Sequence, residues 1–355
     1  MQEHKPVILI LGPTAAGKTA VAIELARRLR PGGGAEPSQT NAATIGGECV
    51  CADSMQIYRR MDIGTAKPSA ADRAAVPHHL VDLADPSDDT FNVDGWLAQA
   101  VCAIVAIRAR NRAPIVVGGT NLYVQSLLYG MADSPEPHPR LRDALSRLDD
   151  RELRQRLERA DPAAAGRIHP NDRRRTIRAL EVFEQSGQRL SDLQRHWPGA
   201  ASASARRGSQ LADVCIIGLD FSVEAINRRI NARVRAMVEA GLVDEVRSLW
   251  QERALGRNAR EALGYKQIIK HLEGECSLDE AIEQVKIRTR QYAKQQRSWL
   301  RRFRQIQPSL WIDATDQSAQ YIANKAFTFI SDRGIGDCVA PEAAPSANAI
   351  GVGTG

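Results

Sequence analysis

Five consecutive apolar residues, Val7-Ile8-Leu9-Ile10-Leu11, end at Gly12, and this run predicts a strand buried on both faces. From Thr19 the pattern changes. Val21, Ile23, Leu25 and Leu29 stand among alanines and charged residues, which predicts a helix. Pro31–Gly47, rich in Gly, Ser, Thr and Asn, reads as a surface loop. Cys49–Ala52 predicts a second strand, lying beside the phosphate loop and ending at Asp53; Trp96–Arg110 predicts a helix. Pro114–Val117 predicts a third buried strand, ending in Gly118-Gly119-Thr120. Such alternation implies an α/β fold with a parallel sheet and ligands at the strands' carboxyl ends. Ser134–Pro139 is then proline-rich, Leu141–Arg195 is charged with helical spacing, and Pro198–Gln210 reads as a small-residue linker. Val214–Leu219 returns as a strand, with helical sequence through Phe303. The expected organisation is a core of residues 1–130 and 211–332, interrupted by a helical insertion and linker at 131–210. A tail at 333–355 has the composition of a disordered segment.

The chemistry begins where the first strand ends. Gly12-Pro13-Thr14-Ala15-Ala16-Gly17-Lys18-Thr19 matches G-x-x-x-x-G-K-[ST] with a strand before it and a helix after it. Glycines let successive N–H groups converge on an anion, and the helix N-terminus adds its positive dipole end. Lys18 supplies a point charge, and the Thr19 hydroxyl is a candidate ligand for Mg²⁺. The loop specifies phosphate but not ATP. A phosphoryl-transfer enzyme commonly holds magnesium with an Asp after another buried strand, whereas Pro114–Val117 ends in Gly-Gly-Thr. Asp53 is open to three roles: holding magnesium, accepting a proton, or capping a helix. His78 and His79 project to different sides and make a poor metal pair.

Composition adds two constraints. The 355 residues are 43% hydrophobic and 25% charged, as in an ordinary soluble protein of about two domains. The formal net charge of +6 suits a polyanionic partner. Six scattered cysteines show no zinc-finger spacing and read as reduced thiols. The apolar run within Met1–Thr14 is too short for a signal peptide, and no stretch could span a bilayer. The expectation is therefore a cytoplasmic protein with no membrane contact.

Seven segments are more specific than these patterns require: GPTAAGKT, ADSMQIYRRMDIGTAKPS, PHHLVDLADPS, PIVVGGTNLY, IHPNDRRRTIRALEVF, ALGYKQ and TRQYAKQQRSWLRRF, in this order. From about Pro6 to about Trp311 the chain resembles the tRNA dimethylallyltransferase (tRNA isopentenyltransferase) family in its bacterial form, without a C-terminal zinc finger. The resemblance implies a P-loop NTPase-like core and transfer of a dimethylallyl group from its diphosphate to N6 of the adenosine following the anticodon. It implies that Gly12–Thr19 holds the diphosphate, Asp53 takes the N6 proton, and Thr19 and Arg233 stabilise the leaving group with Mg²⁺. It further implies tRNA contacts from Asp53, Ser54, Met55, Gln56, Asn121, Gly264, Tyr265 and Lys266, with the target base out of its stack. The Pro31–Gly47 loop is longer and richer in glycine than the resemblance suggests, and Gln295-Gln296 stands where a Lys-Arg-Gln triplet is usual.

Two surfaces suit the RNA. On a wheel of about 100° per residue, Lys294, Arg297 and Arg301 fall near Arg290, while Tyr292, Trp299 and Phe303 lie opposite. No acid occurs between Val285 and Gln307, so the basic face predicts phosphate-backbone binding. The insertion offers Arg167, His169, Arg173, Arg174, Arg175 and Arg178, which the resemblance sets against the anticodon stem. The expected partners are the anticodon stem-loop of tRNA and dimethylallyl diphosphate, bound by a monomer. The alternatives are an ATP-dependent small-molecule kinase, a prenyltransferase acting on free adenine nucleotides, and a non-catalytic RNA-binding protein.

Overall fold

The structure is a computed structural model that describes residues 5–29, 46–131, 134–194 and 214–333. Six strands form one all-parallel sheet: β1 (Val7–Leu11), β2 (Gly47–Ala52), β3 (His78–His79), β4 (Ala113–Gly118), β5 (Val214–Asp220) and β6 (Ser309–Asp313). Their order across the sheet is β3-β2-β4-β1-β5-β6. Strand β1 shows why its sequence is apolar throughout. Ile8 and Ile10 pack on one face against α1 (Lys18–Arg28), while Val7, Leu9 and Leu11 pack on the other. Each such side chain contributes roughly 2 kcal/mol when removed from water.

After α1 the core carries α2 (Ala70–Ala75), α3 (Val93–Ala109) and α4 (Asn121–Tyr129). The expected insertion is helical among the described residues: α5 (Pro139–Ser146), α6 (Asp150–Ala160), α7 (Pro162–Arg167), α8 (Arg173–Ser186) and α9 (Leu190–Leu193). These helices bury a small core of their own, built on Leu145, Leu153, Leu157, Ile177 and Leu180. The chain then returns through β5 to α10 (Val223–Glu239), α11 (Leu242–Gln251), α12 (Arg257–Arg260), α13 (Tyr265–Leu272), α14 (Leu278–Phe303) and α15 (Ala319–Ser331). Helices α11 and α13 form another apolar cluster with Ile57, Tyr58 and Met61.

Five elements escape the sequence pattern, α2 and α4 among them. β3 has two residues, β6 is a half-buried edge strand, and α15 follows it from an N-cap at Ser318. Strand β4 lies between β1 and β2. Register nonetheless brings their ends together. Leu11 and Ala52 both align with Gly118, so the turns after β1, β2 and β4 leave one edge of the sheet side by side. A Cβ on Gly118 would stand 2.1 Å from the Ala52 carbonyl oxygen, so this approach requires glycine. Most of the Pro31–Gly47 loop, the Pro198–Gln210 linker and the tail beyond Arg333 lie outside the described residues.

Candidate active site

The loop after β1 is wound through two left-handed residues, Ala15 (φ 64°) and Gly17 (φ 80°). Gly17 caps α1 without a side-chain bond to the helix, which leaves the first-turn N–H groups directed at the cleft. Lys18 Nζ donates to the carbonyls of Gly12 and Pro13 at 3.1 and 2.9 Å. Burial, followed by the Arg233 charge, lowers the Lys18 pKa to about 8 against the opposing pull of Asp53. Burial likewise lowers the Arg233 pKa, and Asp53 again opposes it. The three groups therefore lie within one another's field, and two cations against one carboxylate leave positive charge for an anionic ligand.

Two unforeseen residues fix this loop. Arg229 Nε donates to the Ala15 carbonyl at 2.9 Å while its guanidinium sits over the Phe221 ring. Its signal in the sequence is its spacing: it precedes Arg233 by four residues, one turn along the same helix face. Gln296 is buried, accepts from Thr14 N at 2.7 Å, and donates to the Gly119 carbonyl at 2.8 Å. A Cβ on Gly119 would come within 2.4 Å of Gln296 Nε2, so this glycine makes room for the tie. Gln296 is thus a bridge between α14 and the phosphate loop.

The backbone after Asp53 is a run of turns and not a helix, so Asp53 braces a turn instead of capping a helix. Its Oδ1 accepts from Met55 N at 2.9 Å and Gln56 N at 3.4 Å, a local turn arrangement that aims the carboxylate into the cleft. Ser54 N donates to Thr120 Oγ1 at 3.0 Å, which joins this turn to the turn after β4. Tyr123 and Tyr292 flank the carboxylate; burial raises both phenol pKa values, with the Asp53 charge next for Tyr292 and behind Tyr58 for Tyr123. Beneath them Trp96 stacks on Tyr123 with centroids 4.3 Å apart and donates to the Cys51 carbonyl at 2.9 Å. Asn121 begins α4 directly after Thr120, half-buried at the same rim. Burial pushes the Cys49 and Cys215 thiols up to about 12, so they are inert parts of the core.

Among the described residues no three His, Cys, Asp or Glu side chains assemble as a metal cage. Thr19, half-buried at the start of α1, offers a hard oxygen beside the phosphate loop. That donor set fits a Mg²⁺ ion held largely by a bound diphosphate.

The RNA-facing expectations divide. Lys294 and Arg301 are exposed and Arg297 is half-buried. The ion pairs of α14 lie at its flanks, Lys286 and Arg290 with Glu283 and Arg304 with Asp220. Among the described residues Lys294, Arg297 and Arg301 therefore keep no acid partner. The buried line of this helix is Val285, Ala293, Gln296, Leu300 and Phe303, rotated from the expected aromatic face. Trp299 stays half-exposed under Arg302, and Tyr292 turns into the site.

On the insertion Arg167, His169, Arg174 and Arg175 are exposed. Arg174 also acts on the Tyr58 phenol, which places the start of α8 within reach of the Asp53 segment. Arg173 and Arg178 are occupied internally. Arg173 holds Asp150 and the carbonyls of Ser146 and Leu148. Arg178 holds Glu181, Ser134 and the Pro135 carbonyl. Arg178 thus serves the internal wiring of the insertion, because buried Glu181 needs cations to neutralise it. Tyr265 also departs from the expected RNA contact. It is fully buried, and its phenol donates to Glu245. Gly264 is buried as the cap of α13, while Lys266 is exposed and paired with Glu261 at 2.6 Å.

The comparisons with known proteins point one way. A family model described as IPP transferase matches residues 56–303. The tRNA dimethylallyltransferase 1 of Citrifermentans bemidjiense is 44% identical over 296 residues, 82% of this chain and 88% of the relative. That of Syntrophotalea carbinolica is 40% identical over 90% of this chain and 95% of its own. The crystal structure of the full-length tRNA isopentenylpyrophosphate transferase from Bacillus halodurans is similar at 34% identity and a TM-score of 0.62, covering 93% of this chain and 96% of that one. A eukaryotic dimethylallyltransferase acting on tRNA is similar at 28% identity and a TM-score of 0.68, over 93% of this chain and 78% of its own. With matches of this extent in sequence and in fold, the chain belongs to the IPP transferase family.

Proposed function

We infer that this protein transfers a dimethylallyl group from dimethylallyl diphosphate to N6 of the adenosine that follows the anticodon in tRNA. The observation that carries this reading is Asp53, a carboxylate directed into a cleft whose other charged groups, Lys18 and Arg233, are cations. A diphosphate and a proton acceptor are both served at the same rim. In the reaction the N6 lone pair attacks the first carbon of the allylic group, and the carbon–oxygen bond breaks. Its electron pair leaves with the diphosphate, and the N6 proton passes to Asp53. Lys18, Arg233 and the first-turn N–H groups of α1 stabilise the charge that grows on the leaving oxygens. When bound, Mg²⁺ held by Thr19 and the diphosphate adds charge to the same oxygens.

The RNA is gripped on two sides, by Lys294, Arg297 and Arg301 of α14 and by Arg174 and Arg175 of α8. No helix among the described residues is long and apolar enough to cross a membrane. The test offers labelled dimethylallyl diphosphate to an anticodon stem-loop and, separately, to AMP. Label on the stem-loop alone is expected. Label on AMP moves the protein to the nucleotide prenyltransferases, and ATP consumption without an allylic donor makes it a kinase.

A further inference from the structure

The segment that follows Asp53 is held by a residue far from it in sequence. The Glu245 carboxylate on α11 accepts from three successive backbone N–H groups: Asp62 and Ile63 at 2.9 and 2.8 Å on Oε2, and Gly64 at 3.0 Å on Oε1. The Tyr265 phenol adds a fourth donor on Oε1. Three consecutive N–H groups turned to one point form an anion cradle, and here the protein's own carboxylate fills it. The fit leaves no slack at Gly64, whose missing Cβ would stand 2.5 Å from Tyr265 Cε2. At its far end the same loop is braced by buried Lys67, which donates to the Tyr58 carbonyl at 2.7 Å and to Asp62 and Asp82 at 2.6 Å each.

What this loop presents is a pair of carbonyls. Gln56 Nε2 donates to Thr65 O and Ala66 O at 3.1 Å each, its Oε1 accepts from Cys51 Sγ, and its backbone N–H lies on Asp53 Oδ1. The chain of contacts is therefore unbroken: α11, loop 62–66, the Gln56 amide, the Asp53 turn. We propose that Glu245 is a positioning residue for prenyl transfer, setting the Asp53–Gln56 turn against the target adenine through the Asp62–Ala66 loop. The inference rests on the function inferred above. Its chemical requirement is specific. Four converging donors need an acceptor-only group, and an amide would turn its own N–H groups onto them. The diphosphate loop, tied instead by Arg229 and Gln296, lies outside this relay.

The experiment compares Glu245→Gln and the milder Tyr265→Phe with the parent, using stem-loop and dimethylallyl diphosphate below the melting temperature of each sample. The expected kcat falls by about ten-fold in Glu245→Gln and about three-fold in Tyr265→Phe, while the KM for dimethylallyl diphosphate stays within about two-fold of the parent. Parent-like kcat in both variants overturns the inference. So does a rise in donor KM that matches the loss in kcat, because that marks general loosening. If Glu245→Gln does not fold, Tyr265→Phe alone decides. A parent that modifies no stem-loop overturns the functional reading and this inference with it.

Discussion

Strand β2 has a carboxylate at each end, and their surroundings are opposite in kind. Glu48, near its start, is 2% exposed and paired with His79 at 2.6 Å, Arg110 at 2.7 Å and Arg112 at 3.0 Å. Burial alone would raise its pKa, but the hydrogen bonds from Arg110 and His79 outweigh that and hold the carboxyl below its usual range. Asp53, just past the other end, is half-buried, and among the described residues its Oδ1 takes neighbouring backbone N–H groups. The cations that feel its charge, Lys18 and Arg233, are themselves depressed by burial. At the lower rim the cations are spent on the acid and the cluster braces the sheet edge. At the upper rim, among the described residues, neither Lys18 nor Arg233 closes an ion pair on Asp53, and a diphosphate would take up that charge. A charged residue type thus says little by itself; whether its partners close on it separates structure from chemistry.

The sharpest way to break this comparison is Asp53→Ala. The account expects kcat to fall by about 100-fold or more with stem-loop affinity within about two-fold. Equal loss of binding and turnover, by filter binding and transfer assay, argues against a proton acceptor. Lys18→Met comes next, with kcat/KM for the donor lowered by about 100-fold. On the proposed function Lys18 would bind diphosphate as its ammonium, present below a pKa of about 8 and lost above it. Parent kcat/KM should therefore decline above pH 8, and that limb should be missing from Lys18→Met.

Glu48→Gln is expected to spare kcat and to lower unfolding free energy by about 3 kcal/mol, measured in urea. Because the folded carboxyl sits below its ordinary value of 4.5, its stabilisation is present above that pH and fades as pH falls through the lower folded value. The Gln variant should lack this acid limb. The smallest effects belong to Arg174→Ala and Arg297→Ala, each weakening stem-loop binding by about three-fold at low salt and less at high salt. A loss that does not change with ionic strength contradicts phosphate contact.

The chemistry was more legible in the sequence than its supports. The phosphate loop, Asp53 and the strands that position them follow from local patterns: an apolar run, glycines at fixed spacing, an acid after a strand. Arg229, Gln296 and Glu245 act across separations of 214, 282 and 181 to 183 residues, which no local periodicity encodes. Arg178 and Tyr265 fail in the opposite direction. Their residue types suit RNA, yet Glu181 and Glu245 claim them, and such a partner is visible only once the fold is. Strand order was likewise hidden, because parallel neighbours are joined by long crossovers.

The most direct measurement follows both products of one reaction: diphosphate released and dimethylallyl adenosine recovered from a digested stem-loop. The account predicts one diphosphate per modified nucleoside, with the group on N6 of the adenosine after the anticodon. Diphosphate released without modified RNA, or a group carried on any other atom, would contradict it.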